Sequence, residues 1–162
     1  MKGHQIKIKL FSTLIVAFCL SNALNVIGAN IMKADKMKNI ILNWPPEGWQ
    51  LNAPLSSEPI PPYVKDGEFS AVIYRQKSDK SDYWSADIKI TDKLDPIEAN
   101  AMFDLFPFCN AIQYRGKPAR ECGAMGSKIG RRGIIYTKDR FFIEISVTGP
   151  KPIEIPSIEL RE

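Results

Sequence analysis

Histidine is nearly absent from this chain, since its 162 residues include only His4, close to the amino terminus. Histidine supplies the usual general base, the Ser-His-Asp and Cys-His catalytic arrangements, and a common nitrogen ligand for metals. A chain that has lost the segment around His4 lacks all of these chemistries. We therefore expect no metal site and no cofactor in the folded part of the protein.

Long apolar runs are also missing. A membrane-spanning helix needs about 20 apolar residues, and the most apolar stretch here, residues 10–20, has roughly half that length. Lysines at positions 2, 7 and 9 precede it, and Ser21 and Ala23 place small residues at the −3 and −1 positions of a cut after Ala23. This pattern is typical of a secretory signal peptide over residues 1–23. A cut after Ala29 and retention as an N-terminal membrane anchor are the alternatives, and we expect an exported protein, periplasmic or extracellular.

Strong net charge is a third absence. The chain has 22 basic and 18 acidic residues, a formal net charge of +4, and loss of the leader removes three of the lysines. Nucleic-acid binding usually requires a strongly basic face. We therefore expect no nucleic-acid partner.

Cysteines are few, but their spacing is informative. Without Cys19 of the leader, Cys109 and Cys122 remain, and an even count in an oxidising compartment predicts a disulfide. A hairpin turning at Arg115 and Gly116 brings these two cysteines opposite each other at a non-hydrogen-bonded pair, where side chains approach closely. Pro118 falls at another such pair, where its missing N–H does no harm. The alternative is a redox-active thiol pair, although redox motifs usually place the cysteines two residues apart.

The rest of the chain indicates an α+β fold. Residues 44–62 hold six of the twelve prolines and predict an extended arm, after a linker or short helix. Alternating apolar residues predict strands at 67–76 and 83–91, with Trp84, Ala86, Ile88 and Ile90 facing inward. Asp95 and Pro96 predict a helix start, and Ile97, Ala101 and Leu105 form one apolar face of that helix, widened by Met102 and Phe106.

A second hairpin is predicted over residues 134–147. Strands, helix and strands joined by short connections indicate an antiparallel sheet of about five to six strands, packed against one or two helices. We assign residues 24–62 to an N-terminal linker and Pro-rich arm and residues 63–149 to the α+β domain. Residues 150–162 form a C-terminal tail or an edge strand.

The most uneven charge lies in residues 115–140, with eight basic and two acidic side chains. We take six of the basic residues as a candidate contact surface for an anionic ligand, lipid head groups or an acidic partner: Arg120, Lys128, Arg131, Arg132, Lys138 and Arg140. The simpler interpretation is that these side chains occupy solvent-facing positions of two hairpins.

Catalytic patterns are weak. Gly126, Ser127 and Lys128 lack the spacing of a phosphate-binding loop. Ser127 and Lys128 as a catalytic pair lack recognisable groups that would stabilise an oxyanion. Carboxylates are plentiful, but each lies in a predicted turn, cap or exposed face. We therefore identify no catalytic residues.

The order of elements carries one resemblance. The chain resembles small exported domains of the PsbP-like type in four successive segments. These are Pro46 to Trp49 at the start, the strand over residues 69–74, the helix after Asp95 and Pro96, and the hairpin over residues 136–145. The resemblance covers roughly residues 44–147. It implies an antiparallel sheet flanked by helices and a non-catalytic accessory role beside a larger complex. Because PsbP-like domains share no catalytic residues, it assigns no site.

We therefore expect an exported, non-catalytic accessory protein that binds an envelope protein or a small anionic ligand, with contact to a membrane surface as a further option. An envelope hydrolase that uses carboxylates or Ser127 is the alternative function. A thiol oxidoreductase that uses Cys109 and Cys122 is a third.

Overall fold

The computed structural model describes residues 30–51, 58, 60–76, 83–123 and 129–161. The two helices of these residues are α1 (Ala34–Met37) and α2 (Pro96–Asp104). The strands are β1 (Tyr63–Lys65), β2 (Glu68–Gln76), β3 (Tyr83–Asp92), β4 (Asn110–Tyr114), β5 (Lys117–Cys122), β6 (Ile129–Lys138) and β7 (Phe141–Pro150). The predicted signal peptide, Ser127 and Lys128 lie outside the described residues, as do residues 77–82 between the first two predicted strands.

Seven strands of the described residues form one sheet in the order β1-β2-β3-β7-β6-β5-β4, and every neighbouring pair is antiparallel. The predicted antiparallel sheet is confirmed, and the sheet dominates the fold. The strand count exceeds the predicted five to six because β1 is only three residues long and shows no alternation that the sequence could reveal. Strand β7 lies between β3 and β6, so the final hairpin forms the centre of the sheet.

The two faces of the sheet follow from residue alternation. Ile88 pairs with Ile145 and Ile90 with Ile143, so these side chains share one face, here called the core face. The predicted inward residues of β3 are all buried: Trp84, Ala86, Ile88 and Ile90. Each large apolar side chain buried in this way stabilises the fold by about 1.5–3 kcal/mol. The opposite side of the sheet, here called the outer face, carries the alternate residues.

Segments from both ends of the described chain contribute to the same core. Met37, Ile40 and Trp49 from the first segment, and Ile158 and Leu160 from the last, belong to the cluster of buried side chains that includes Ile88 and Ile145. The two segments meet at an antiparallel bridge between Ile41 and Leu160. One compact unit extends from Ile31 to Glu162. It thus takes in residues assigned above to the arm and to the tail.

Helix α2 begins as predicted, but its predicted apolar face points to solvent. The Asp95 carboxylate accepts hydrogen bonds from the backbone N–H groups of Ile97 and Glu98, at 2.8 and 2.9 Å, which caps the helix. The helix contacts β6 and β7 on the outer face, and Ala99 is its buried residue. Ile97, Ala101 and Leu105 share a face as predicted, but this face is exposed, and Met102 and Phe106 do not widen it. Met102 and Phe106 are half-buried, whereas the other three residues are exposed.

Neither helix of the described residues has the length or the apolar run that a bilayer crossing requires.

Candidate functional site

The structure distributes the basic residues of the predicted contact surface rather than gathering them. By strand alternation, Arg120 and Arg131 lie on the outer face, whereas Arg132 and Lys138 lie on the core-face side. Arg140 lies in the turn between β6 and β7. Lys128 lies outside the described residues. The five described residues therefore do not form one continuous patch.

Each of these five residues also has an internal partner. Arg132 pairs with Glu121 (Nε–Oε1 2.7 Å), and Lys138 donates to the Leu160 carbonyl at 2.8 Å. Arg131 donates to the Ser146 hydroxyl at 3.3 Å. Arg140 forms an ion pair with Asp92. A partner that docks on these groups would have to compete with the internal contacts.

Arg120 holds helix α2 against β5. Its guanidinium lies 4.7 Å from the centre of the Phe103 ring, contacts the Asp104 carboxylate at 3.5 Å, and donates to the Phe106 carbonyl at 3.2 Å. A cation over an aromatic ring is stabilising by about 0.5–1 kcal/mol or more. The contacts assign Arg120 a structural role in positioning α2.

The cysteine hairpin has the predicted register. Tyr114 pairs with Lys117 and Gln113 with Pro118, and the Cα atoms of Cys109 and Cys122 lie 4.8 Å apart across a disulfide. The predicted disulfide is confirmed.

The turn of this hairpin places two residues in the left-handed region, with φ of 53° at Arg115 and 76° at Gly116. Two positive φ values match the twist of a two-residue hairpin loop. Glycine adopts this conformation freely, whereas arginine adopts it at a cost.

The most unusual surface is the outward side of α2, where large apolar side chains face solvent. Ile97 is 79% exposed, Phe108 78% and Leu105 66%. Ile97, Ala101 and Leu105 share the outward side of α2, Leu94 precedes the helix, and Phe108 follows it. We call these five exposed apolar residues the α2 stripe. Large contiguous apolar patches are uncommon on soluble monomers and often mark interaction sites.

Acidic groups accompany the stripe. Helix α2 carries Glu98 and Asp104 and has no basic residue, and Asp95 caps its start. The Asp104 side chain is 73% exposed and its contact with Arg120 is long. The α2 stripe is therefore an apolar surface with an acidic border.

A groove of about 500 Å³ opens beside Phe108 on the outer face. Its wall includes Phe106, Phe108, Arg131, Gly133, Ile135 and Ser146. The disulfide fixes Cys109, the residue after Phe108, to the end of β5. It thereby holds Phe108, the last residue of the α2 stripe, beside the groove.

The structure offers little support for the metal-binding, redox and hydrolytic chemistries considered from the sequence. Within the described ranges, no group of three His, Cys, Asp or Glu side chains lies close enough together to hold a metal ion. Cys109 and Cys122 are joined to each other. Ser127 lies outside the described residues, so the hydrolase hypothesis stays a prediction.

In comparisons with protein-family models, curated proteins and solved structures, nothing matches this chain. The candidate site therefore depends on the residues themselves. Sequence reasoning recognised that Ile97, Ala101 and Leu105 share a helix face, but it did not identify that face as a surface. The acidic residues on the same helix, which has no basic residue, were the sequence signal that could have indicated an exposed surface.

Proposed function

We propose that this chain is an exported accessory protein that binds a partner protein through the α2 stripe. The observation that carries the proposal is the exposure of Ile97, Leu105 and Phe108, each more than three-fifths exposed. Their burial by a partner would release water from a large apolar area, which is the main favourable term in protein association. The signal peptide over residues 1–23, the α+β assignment and the kinship to PsbP-like domains belong to this proposal and stay predictions.

The partner that fits this surface is an apolar segment with basic flanks. Asp95, Glu98 and Asp104 accompany the stripe, and α2 itself carries no base, while Asp104 contacts Arg120 of β5 at 3.5 Å. Opposite charges across an interface increase the association rate and select among partners, whereas like charges oppose docking. An acidic amphipathic segment would thus be rejected, and a basic one would be accepted.

Phe108 is the residue that we expect to contribute most to binding. Aromatic residues are enriched among those that dominate interface energetics. The ring lies next to the groove on the outer face, so a partner side chain can contact the ring and the groove together. Leu105 extends the same contact along the helix.

The proposal can be tested with two synthetic helical peptides that share a leucine stripe but differ in their flanks, lysine in one and glutamate in the other. We expect the lysine-flanked peptide to bind, as measured by fluorescence anisotropy. The substitution Phe108→Ser or Leu105→Ser should weaken that binding by about tenfold or more. Both side chains are exposed, so the substitutions leave the fold intact.

The control is Tyr63→Ser, which removes a side chain of similar exposure (58%) from β1. We expect this variant to bind the peptide as the parent protein does. Equal binding of both peptides, or equal losses in the control and in the stripe variants, would rule out a specific site on α2.

A further inference from the structure

A second cleft, of about 390 Å³, lies at the opposite edge of the core face from β1. It is bounded by the β4–β5 hairpin, the end of β6 and the last segment of the chain. We call it the tyrosine cleft. Its lining consists of Leu42, Tyr114, Arg115, Lys117, Tyr136, Lys138, Ile158, Glu159 and Leu160. Its volume is in the range of small-molecule sites.

The hydroxyl of Tyr136 is buried without a partner. The residue is 5% exposed, and its hydroxyl oxygen makes no hydrogen bond with any residue that the structure describes. By contrast, the hydroxyl of the neighbouring Tyr114 donates to the Pro156 carbonyl at 2.8 Å. The two ring centres lie 5.3 Å apart. Buried polar groups in native proteins are nearly always satisfied, so an unsatisfied one indicates a missing partner.

Burial raises the pKa of Tyr136 well above its ordinary value of 10, and a smaller contribution from Tyr114 acts in the same direction. The hydroxyl therefore keeps its proton at neutral pH. It is available as a hydrogen-bond donor, which suits an acceptor such as a carboxylate oxygen.

Cations surround the same cleft. Lys138 donates one hydrogen bond, to the Leu160 carbonyl, and its ammonium has two further N–H groups. Lys117 is exposed and forms no ion pair with any of the described residues. Arg115 is engaged by the Ser157 hydroxyl and by Glu159 at 3.3 Å. Arg115, Lys117 and Lys138 thus line the cleft together with a single carboxylate, that of Glu159, which already pairs with Arg115.

We propose that the tyrosine cleft binds a small organic carboxylate, with its anionic oxygens at Lys117, Lys138 and the Tyr136 hydroxyl and its apolar part against Leu42 and Ile158. Arg115, whose guanidinium fork would pair with a carboxylate or a phosphate alike, is already engaged by Ser157 and Glu159, so Lys117, Lys138 and the Tyr136 hydroxyl are the groups left to hold the anion. The Tyr136 hydroxyl is closed off from solvent, so binding requires a small shift of the side chains at the rim.

A matched pair of substitutions tests whether the Tyr136 hydroxyl lacks a partner. Tyr114→Phe removes a hydroxyl that has one, so we expect the midpoint of thermal unfolding to fall by about 3 °C. Tyr136→Phe removes a buried hydroxyl that has none, so the midpoint should stay or rise. A fall in Tyr136→Phe as large as that in Tyr114→Phe would mean that the hydroxyl is satisfied within the chain, and the proposal would be overturned.

Binding is tested with sodium hexanoate as the probe and sodium acetate, which lacks the apolar part, as the comparison. We expect hexanoate to raise the unfolding midpoint of the parent protein and acetate at the same concentration to leave it unchanged. Tyr136→Phe and Lys138→Gln should each weaken hexanoate binding, measured by calorimetry, by about tenfold. Lys65→Gln on β1 is the control for loss of one positive charge.

Two results would overturn the site. One is an equal effect of hexanoate and acetate, which would indicate a general salt effect. The other is hexanoate binding that survives in Lys138→Gln and Tyr136→Phe but weakens in Lys65→Gln, which would place the ligand elsewhere. Neither result bears on the α2 stripe, which lies on the outer side of α2.

Discussion

Asp92 links three parts of the chain through one buried carboxylate. Its side chain is fully buried, and it accepts hydrogen bonds from the Arg140 guanidinium and from the backbone N–H groups of Met32 and Leu94 at 2.6–2.9 Å. Burial raises the pKa of Asp92, but the hydrogen bonds outweigh it and hold the pKa below its ordinary value of 3.8. The first segment, the start of α2 and the last hairpin therefore depend on the same charge.

We expect the stability of the protein to fall at low pH because of this residue. A carboxyl whose pKa is lowered on folding contributes its full stabilisation above its unfolded value, here 3.8, and loses it as pH falls through the lower folded pKa. Replacing Asp92 with Asn should lower the free energy of unfolding at pH 7 by about 3 kcal/mol, because the ion pair between Asp92 and Arg140 is then lost. Urea unfolding at pH 7 and at pH 3 measures both effects.

The control for this prediction is the double variant of Asp92→Asn with Arg140→Met. Because the two residues act as a pair, the double variant should lose less stability than the sum of the single variants. Strict additivity, or an Asp92→Asn variant with the same loss of stability between pH 7 and pH 3 as the parent, would contradict the role of the pair.

At the scale of elements, the β4–β5 hairpin could be predicted residue by residue. Its pairing depends on a short turn and on which positions form non-hydrogen-bonded pairs. Pro118 and the two cysteines all fall at such positions, and all of them lie within the same local stretch. The turn is the one place where residue type and conformation disagree, since Arg115 takes a positive φ that glycine adopts more readily. The structure shows that arginine adopts the conformation here, next to Gly116.

We expect the disulfide in this hairpin to stabilise the protein and to position Phe108. The bond joins residues separated by 13 positions, and closing a loop of this length is worth about 3 kcal/mol on the chain-entropy model. The double substitution Cys109→Ser and Cys122→Ser should lower the free energy of urea unfolding by that amount. It should also weaken binding of the lysine-flanked peptide, because Phe108, the residue before Cys109, is then no longer held next to the end of β5.

Dithiothreitol provides the matched control. It should destabilise the parent protein by the same amount and leave the serine variant unchanged. A parent protein whose unfolding midpoint does not respond to full reduction, verified by alkylation and mass measurement, would show that the bond contributes no stability.

Helix α2 shows what periodicity cannot predict. A repeat of three to four residues shows which side chains share a face, but both faces of α2 carry apolar residues: Ala99, Met102, Phe103 and Phe106 on one, and Ile97, Ala101 and Leu105 on the other. Phe106 stacks against Phe142, with ring centres 5.8 Å apart, and this long-range contact decides the orientation. Asp92 is a different case. The prediction that every carboxylate lies in a turn, a cap or an exposed face is wrong for Asp92, which is buried. Asp92 continues the inward alternation of β3, so its burial and its need for a cation could have been predicted from that alternation.

At the scale of the whole molecule, the protein closes its core with the two ends of the described chain. The Leu42 N–H donates to the Glu159 carbonyl at 2.8 Å, and the Arg161 N–H donates to the Ile40 carbonyl at 2.7 Å. These contacts join residues more than a hundred positions apart. The last segment alternates apolar and charged residues, as in Ile158 and Leu160 around Glu159, which is why an edge strand was one of its two predicted forms. The first segment has no such alternation, so the sequence gives no signal that the two segments lie side by side.

Because the two segments support each other, damage to one should release the other. Leu160→Ala removes a side chain that is 4% exposed, so we expect a loss of about 3 kcal/mol in the free energy of unfolding. Leu42→Ala is the matched control, since Leu42 is 55% exposed and its loss should change stability by less than about 0.5 kcal/mol. In Leu160→Ala, amide hydrogen exchange at Leu42 and Arg161 should accelerate more than exchange in β3 and β7, because the paired ends open before the sheet does. Uniform acceleration across the sheet would instead mean that the ends and the sheet unfold as one unit, and the two segments would then not form a separate supporting element.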